Sequence, residues 1–267
     1  MKRHNCLEGL EVKKILQFDG SRFVRAEISL VSEVFLQIVY NQRLIVVTAC
    51  AGHHLDELAV GYLRSEGYIE TRDDIKDLQV SPDHSFVHVV TGNSENENDD
   101  RHAEKENESF LFSGGGRGRR KRKTPKELGK IEMLLPPQAI LRWMDDLINR
   151  SLLHNASHGT HCSALADKSG IIISREDIGR HNTIDMIGGR MLLDDWSGAD
   201  KILLTTGRIS SEMVQKVWAL GIPVIVSRSA PTSAALRVLE EAGITLVGYV
   251  RNGQMNVYTH GERVDTA

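Results

Sequence analysis

The chain has 267 residues, 40% of them hydrophobic and 26% charged, with a formal net charge of −3. This composition fits a globular protein with a sizeable core, and the small net charge favours neither a nucleic-acid nor a membrane partner. No apolar run is long enough to span a membrane, and the N-terminal stretch lacks the apolar core of a secretory signal. The three cysteines, Cys6, Cys50 and Cys162, are widely spaced, which predicts a cytoplasmic protein rather than a disulfide framework.

Residues 1–91 are predicted to form a β-rich part. Two runs rich in Val and Ile, AEISLVSEVFLQIVY and RLIVVTA, predict two strands with a turn at Asn41-Gln42. The stretch DELAVGYLRSEGYI has apolar residues at helical spacing, and Gly67 is well placed to end that helix. A further strand pair is expected between Ile75 and Thr91, with its turn at SPDH.

Residues 92–135 are dense in charge and poor in apolar side chains, which predicts a long mobile loop. It contains FLFSGGGRGRRKRK, a glycine run followed by a basic run. Nucleic-acid binding is disfavoured there, because the basic run has no aromatic residue for base stacking and an acidic tract precedes it. Attraction of an anionic ligand or an acidic partner surface is a more specific use.

Residues 136–267 predict an α/β domain, within a chain that is α+β overall. PPQAILRWMDDLINRSLL is a helix with proline in its first turn. The strands GIIISRED, KILLTTG, IPVIVS and ITLVGYV follow, with the helices SSEMVQKVWALG and TSAALRVLEEAG among them. Apolar strands that alternate with amphipathic helices predict a sheet covered on both faces, with ligand sites at the carboxyl ends of its strands.

Four polar motifs lie where a ligand site is expected. One of them, SRSAPTS, is a strand-to-helix turn with Thr232 or Ser233 as a possible helix cap. HGTHCSALAD predicts a helix that opens beneath a pocket, with His161 and Cys162 adjacent on it. REDIGRHNTIDMIGG carries seven polar residues directly after a strand, and a helix that begins near Gly179 could bind an anion beside Arg180 and His181. We interpret this motif as a binding or catalytic cluster rather than a purely structural salt-bridge network.

TTGRISSEM resembles a generic phosphate loop, with Thr206, Gly207, Arg208 and Ser210 as candidate contacts, but it lacks the Gly-Lys-Ser/Thr of a nucleotide-hydrolysing loop. Together these turns favour a nucleotide-like ligand that carries phosphate. The histidines show neither HExxH nor HxE with CxxC, so no permanent metal is expected.

Several long motifs resemble one known family. LDELAVGYLRSEG, GTHCSALAD, REDIGRHNTIDMIGG, TTGRISSEMVQK, GIPVIVSRSAPTSAAL and GITLVGYVRNGQMNVYT occur in the order found in the formate dehydrogenase accessory proteins of the FdhD family. The resemblance runs from about Glu33 to Tyr258. It implies a cytidine-deaminase-like three-layer α/β/α fold in the C-terminal part, an N-terminal β-rich part and a homodimer.

The resemblance also implies a function of the sulfurtransferase type. Family members receive sulfur as a cysteine persulfide from a cysteine desulfurase. They pass it to the molybdenum bis(molybdopterin guanine dinucleotide) cofactor, a transient ligand, before its insertion into the formate dehydrogenase catalytic subunit. The family's cofactor-binding segment matches YVRNGQ, that is Tyr249, Val250, Arg251, Asn252, Gly253 and Gln254.

One departure from the family is chemically important. The family supplies its persulfide cysteine in a mid-chain Cys-Gly-x-Cys-Gly loop after a serine, whereas this chain has Gly114 and Arg117 at the two cysteine positions behind Ser113. Either Cys162 or Cys50 takes over as the thiol, or the chain is a cofactor-binding chaperone without sulfur relay. Cys162 is preferred because it lies in the motif expected to face a pocket, whereas Cys50 is expected at a strand end; His161 is a second catalytic candidate, although it and Cys162 are not expected to pair. A nucleotide deaminase is a further alternative that rests on fold analogy only.

Overall fold

The computed structural model describes residues 9–92, 110–111, 125–129 and 133–266. The strands are β1 Leu10–Phe18, β2 Phe23–Val31, β3 Val34–Tyr40, β4 Arg43–Cys50, β5 Ile75–Val80, β6 Phe86–Thr91, β7 Phe110–Leu111, β8 His161–Asp167, β9 Gly170–Asp177, β10 Ile202–Thr205, β11 Val224–Ser227, β12 Thr245–Arg251 and β13 Gln254–Thr259. The helices are α1 Leu55–Ser65, α2 Pro137–Arg150, α3 Leu152–Ser157, α4 Arg180–Leu193, α5 Ser211–Ala219 and α6 Ser233–Ala242. None of the helices in these ranges has the length and apolar composition needed to cross a membrane.

The first two strands form a ribbon separate from the rest. β1 and β2 pair antiparallel in a two-stranded sheet, with Phe18 opposite Phe23 next to the connecting turn. The run AEISLVSEVFLQIVY, predicted as one strand, is divided between β2 and β3 at Ser32-Glu33, so that prediction was wrong. The division occurs because the amide of Ser32 donates to the carbonyl of Gly9 at 2.7 Å, which closes the ribbon before β3 enters another sheet.

The N-terminal part contains a five-stranded sheet in the order β5-β6-β3-β4-β7. Asn41 and Gln42 connect β3 to β4 with φ values of 45° and 67°, which confirms the predicted turn as one that needs left-handed residues. α1 covers one face of the sheet, and its apolar side chains share a core with those of β3 and β6. Gly67, at φ 75°, follows the end of α1 as predicted.

The C-terminal part contains a six-stranded sheet in the order β13-β12-β11-β10-β8-β9. β10, β11 and β12 are parallel to one another, whereas β8, β9 and β13 add antiparallel pairs at the two sides. Every residue of β10 and β11 is buried, because α2 covers one face and α4, α5 and α6 cover the other. The predicted three-layer α/β/α arrangement is therefore confirmed.

The motif HGTHCSALAD is a strand, not the opening of a helix as predicted. Its last seven residues, His161–Asp167, form β8, whose side chains alternate between two buried layers. Cys162 and Ala164 face the layer of α2, while Leu165 faces the layer of α4. Small residues suit a central strand that is covered on both faces, and this requirement overrode the helical preference of Ala and Leu.

The two parts meet where α1 crosses α4. A Cβ on Gly61 would lie 1.7 Å from the carbonyl oxygen of Asp185, and a Cβ on Gly189 would lie 1.9 Å from that of Glu57. The backbones of the two helices are therefore close enough that only glycine fits at both positions. α1 of the N-terminal part thus packs directly on α4 of the C-terminal part. The domain boundaries predicted after residues 91 and 135 stay a prediction.

Candidate functional site

The candidate site lies at the carboxyl ends of the three parallel strands. The loops that follow β10 and β11 are tied together, because the amide of Arg228 donates to the carbonyl of Thr205 at 3.0 Å and Ile209 forms a bridge with Pro231. The amide of Tyr249 on β12 donates to the carbonyl of Ser229 at 3.1 Å. We call this edge, formed by residues 205–210, 228–232 and 249–251 with the start of α4, the sheet rim.

Three basic side chains lie close together at the sheet rim. His161 is half-buried at the start of β8, and Arg180 begins α4. Burial lowers the pKa of His161, and the charges of Arg180, His154 and Arg208 lower it further. The Nε of Arg180 is buried and has no hydrogen-bond partner among the described residues. His161, Arg180 and Arg208, all predicted site residues, therefore form a basic cluster in which the two guanidinium groups carry the charge suited to an anion.

Gly207 fits against Arg180 because it has no side chain. A Cβ at Gly207 would lie 3.1 Å from the Cβ and 3.3 Å from the Cδ of Arg180. Such contacts are tighter than ordinary van der Waals packing, so a larger residue at this position would push the arginine aside. The predicted glycine of the TTGR turn thus sets the path of the Arg180 side chain.

A buried hydroxyl cluster supports the rim from below. Thr205 Oγ1 accepts from the amide of Gly207 at 3.1 Å and from the hydroxyl of Ser163 at 2.9 Å. Ser163 Oγ lies 2.7 Å from Thr183 Oγ1, which donates to the carbonyl of Arg180 at 2.8 Å. Sequence reasoning missed Ser163, Thr183 and Thr205 as site residues, since small hydroxyl side chains in apolar elements give little signal.

Two further predicted residues of the TTGR turn have structural partners. Thr206 is held by β8, because its amide donates to the carbonyl of Cys162 at 2.9 Å and its hydroxyl accepts from the amide of Cys162 at 3.1 Å. Ser210 is the N-cap of α5 and accepts from the amide of Met213. Both residues therefore fix the turn that carries Arg208.

Much of the motif REDIGRHNTIDMIGG is structural, contrary to our interpretation of it as a binding cluster. Arg175 forms a bidentate pair with Glu57, Glu176 accepts from the first amides of α3, and Asp185 pairs with Lys216. Arg180 and His181 differ, because they open α4 at the rim. Nε2 of His181 lies 3.6 Å from the carboxylate of Glu212, which places α4 beside the first turn of α5.

Asp177 holds the N-terminal part against the rim. Its carboxylate accepts from the amides of Ala51 and Gly179 and from the side chain of Asn182, at 2.7 to 2.9 Å. Asn182 also donates to the carbonyl of Ala49 at 2.8 Å. Burial raises the pKa of Asp177 to about 6, although its three hydrogen bonds act in the opposite direction.

The segment Tyr249–Gln254 forms the end of β12, a turn and the start of β13. The guanidinium of Arg251 lies 3.7 Å from the centre of the Tyr249 ring, and Asn252-Gly253 turns with φ values of 53° and 72°. A cavity of about 640 Å³ opens beside the turn; it is lined by Pro137, Gln138, Leu141, Tyr249, Gly253, Gln254, Met255 and Asn256. Val250, predicted with this segment, is buried in the core against α2 instead.

Neither described cysteine is suited to exchange in this conformation. Cys162 is fully buried, its thiol donates to Glu176 at 3.5 Å, and burial raises its pKa far above the ordinary value. Cys50 ends β4, and burial together with the charge of Asp177 raises its pKa to about 12. The expectation that Cys162 faces a pocket was wrong, because its side chain points into the layer of α2. The glycine loop at 113–118 and Cys6 lie outside the described residues.

Metal chemistry has no ready ligand set in the described ranges. No group of three or more His, Cys, Asp or Glu side chains there is arranged to hold a metal ion. The rim itself offers basic side chains, backbone amides and hydroxyl groups.

The sequence profile of the FdhD/NarQ family matches residues 31–265. The chain belongs to this family. Among FdhD/NarQ relatives named sulfur carrier protein FdhD, that of Bacillus subtilis is 33% identical over 253 residues, covering 95% of this chain and 97% of the relative. That of Bacillus pumilus is 35% identical over 252 residues, covering 94% and 95%.

A solved structure agrees with the FdhD/NarQ assignment. A protein of Desulfotalea psychrophila, assigned as a formate dehydrogenase accessory protein, has a TM-score of 0.76 and 25% identity to this chain. The match covers 96% of this chain and 99% of the other. The FdhD/NarQ fold is thus shared over almost the whole length.

Proposed function

We propose that this protein is a formate dehydrogenase accessory protein that acts as a sulfur carrier. Its FdhD/NarQ relatives carry the name of sulfur carrier, and the solved neighbour is assigned as a formate dehydrogenase accessory protein. The observation that carries the proposal on this chain is the basic cluster of His161, Arg180 and Arg208 at the sheet rim, where the side chain of Arg180 lies against Gly207.

The ligand of the rim is proposed to be the molybdenum bis(molybdopterin guanine dinucleotide) cofactor, held as transient cargo. Its phosphates carry negative charge, which the guanidinium groups of Arg180 and Arg208 neutralise. The cavity beside Tyr249 and Gln254 has room for a further part of a ligand this large. The exposed Arg251 and the ring of Tyr249 offer a stacked cation and aromatic surface at its edge.

The sulfur step is proposed to begin with a persulfide donor, a cysteine desulfurase. A thiolate of this chain attacks the terminal sulfur of the donor persulfide, a new S–S bond forms, the donor's S–S bond breaks, and the donor cysteine leaves as a thiolate. The carried sulfur then passes to the cofactor before the formate dehydrogenase catalytic subunit takes it up. We also propose that the protein acts as a homodimer in the cytoplasm, without a nucleic-acid or membrane partner.

Nucleotide binding tests the proposed ligand site. Guanosine diphosphate, titrated calorimetrically, serves as the probe for the guanine nucleotide part of the cofactor. Arg208→Ala is expected to weaken binding at least tenfold, because it removes one of two phosphate-facing guanidinium groups. Arg237→Ala is the control, since Arg237 is an exposed residue of α6 away from the rim. Equal affinities of the two variants would refute the site.

Sulfur loading tests the relay. The protein is incubated with a cysteine desulfurase and radiolabelled cysteine, and the bound label is counted for the unsubstituted chain and for Cys6→Ala, Cys50→Ala and Cys162→Ala. Label that one substitution abolishes identifies the carrying thiol. Nucleotide binding without any label on the unsubstituted chain would overturn the sulfur relay and leave a cofactor-binding chaperone.

A further inference from the structure

The β1–β2 ribbon presents an apolar face to solvent. Val12, Leu16, Phe18 and Phe23 have exposed fractions of 64%, 68%, 57% and 70%. The antiparallel register places Phe18 opposite Phe23, and side chains alternate along β1, so these four residues lie on the same face. We call this set the ribbon face.

Among the described residues, the ribbon contacts the body of the protein over only part of its surface. It forms a sheet of two strands; β2 packs on α3, Gly9 lies beside His53 and Val31 lies against Gly159. A strand of nine residues extends for roughly 30 Å. Because an isolated two-stranded sheet is marginally stable in water, a ribbon this long needs a cover.

We propose that the ribbon face is covered by a second copy of this chain. The charged residues on the same face, Lys14, Arg25 and Glu27, include both signs, and Lys14 lies 4.0 Å from Glu27. A patch with one net positive charge selects neither a strongly acidic nor a strongly basic partner. A second copy offers the same mixed charges and apolar groups, as a two-fold interface requires.

The area of the ribbon face is compatible with this occupant. Large side chains bury about 150–250 Å² each when fully covered, so the four partly exposed ones offer roughly 500 Å² per copy. Two copies would bury roughly 1,000 Å², which is about the minimum for a biological interface and lies in the range of weak, transient ones. An apolar patch of roughly 500 Å² is as large as the largest patch on a typical monomer, and such patches are often functional.

This proposal assigns the interface of the homodimer proposed above. It does not depend on the proposed ligand site at the sheet rim. The double variant Phe18→Ser/Phe23→Ser is compared with Phe35→Ser by sedimentation at micromolar concentration. Phe35 is the matched control, because it is half-exposed on β3 in the five-stranded sheet. We expect the unsubstituted chain and the Phe35 variant to be dimers and the double variant to be a monomer.

A second measurement uses the unsubstituted chain alone. Hydrogen exchange of the β1 and β2 amides is expected to accelerate on dilution as the dimer dissociates, while the amides of β10 and β11 keep their protection. A monomeric unsubstituted chain, a dimeric double variant or ribbon exchange that does not depend on concentration would each overturn the proposal. Guanosine diphosphate titration of the double variant separates the two proposals, since its affinity reports on the rim and not on the ribbon.

Discussion

Thr205 is buried at the end of β10, yet its hydroxyl holds the turn that carries Arg208. In Thr205→Val the amide of Gly207 and the hydroxyl of Ser163 both lose an acceptor. A buried donor without a partner costs about 1–3 kcal/mol, so the turn should shift. We expect guanosine diphosphate to bind this variant about tenfold more weakly, as measured by calorimetry.

Thr205→Ser is the matched control, because it keeps the oxygen and loses only a methyl group. Its affinity should stay within about threefold of the unsubstituted chain. Equal affinity of the Val and Ser variants would show that the hydroxyl does not position the rim.

Asp177 makes the stability of the fold depend on pH. Its pKa in the folded chain is raised to about 6, above the usual value of 3.8, so the folded state binds the proton more tightly than the unfolded state. Its contribution to the free energy of unfolding is therefore present below pH 3.8 and is lost as pH rises through 6. At 1.36 kcal/mol per pKa unit the loss is about 3 kcal/mol.

Asp177→Asn removes this titration. The stability difference between the unsubstituted chain and this variant, from urea unfolding, should shift in favour of the variant by about 2 kcal/mol between pH 4 and pH 7. Asp145→Asn, on the exposed face of α2, should show no such trend. A difference that is constant with pH would contradict the raised pKa.

The described thiols should be unreactive in the native protein. Cys50 and Cys162 are fully buried, and burial raises the pKa of both, so neither provides an accessible thiolate near neutral pH. In Cys6→Ala we expect no rapid reaction with a thiol reagent such as Ellman's under native conditions and two thiols after unfolding. Fast native labelling of this variant would show that one of the two buried sites opens.

At the level of single residues, the basic side chains of the site were predicted from the sequence. The buried hydroxyl groups that support them were not. Arg180 and Arg208 were predicted from motifs that follow strands, and His161 from a motif interpreted as the opening of a helix. The structure brings the three together. Ser163 and Thr183 were missed, because their role depends on two elements that become neighbours only in the folded sheet. The direction of the Cys162 side chain, towards α2 rather than a pocket, was missed for a related reason, since it depends on the register of β8.

Among the elements, α1 and α4 depend on glycine where they cross. In Gly189→Ala the new methyl group would overlap the carbonyl of Glu57, so the helices must separate. We expect a loss of at least 1–3 kcal/mol in the free energy of unfolding, the usual cost of overpacking a core. Gly129→Ala is the control, since a Cβ there meets no atom within 4 Å, and chemical denaturation compares the two.

The helices were predicted well from sequence, and the strands less so. α1, α2, α5 and α6 have clear apolar periodicity with proline or glycine at their ends, and these signals are local. β8 was mistaken for a helix because Ala and Leu favour helices, whereas its state is decided by pairing with β9 and β10. The break between β2 and β3 was missed too, since it depends on β1.

For the molecule as a whole, a buried ion pair joins the two parts. Arg175 on β9 bonds both oxygens of Glu57 on α1, at 2.5 and 2.7 Å. Because a lone buried charge is costly, Arg175→Met should lower the free energy of unfolding by about 3–5 kcal/mol. The double variant Glu57→Met/Arg175→Met should lose clearly less stability than Arg175→Met. Urea unfolding of the unsubstituted chain, the two single variants and the double variant measures the coupling energy between the two side chains. Additive losses would show that the pair is not coupled.

The bond from the amide of Ala51 to the carboxylate of Asp177 spans 126 positions of the chain. On the ribosome, β4 is therefore complete long before its partner exists. At about 5–20 residues per second, the interval is on the order of ten seconds. During this interval Gly61 of α1 has no α4 to pack against. The nascent N-terminal sheet must therefore persist without its contacts to Asp177 and α4.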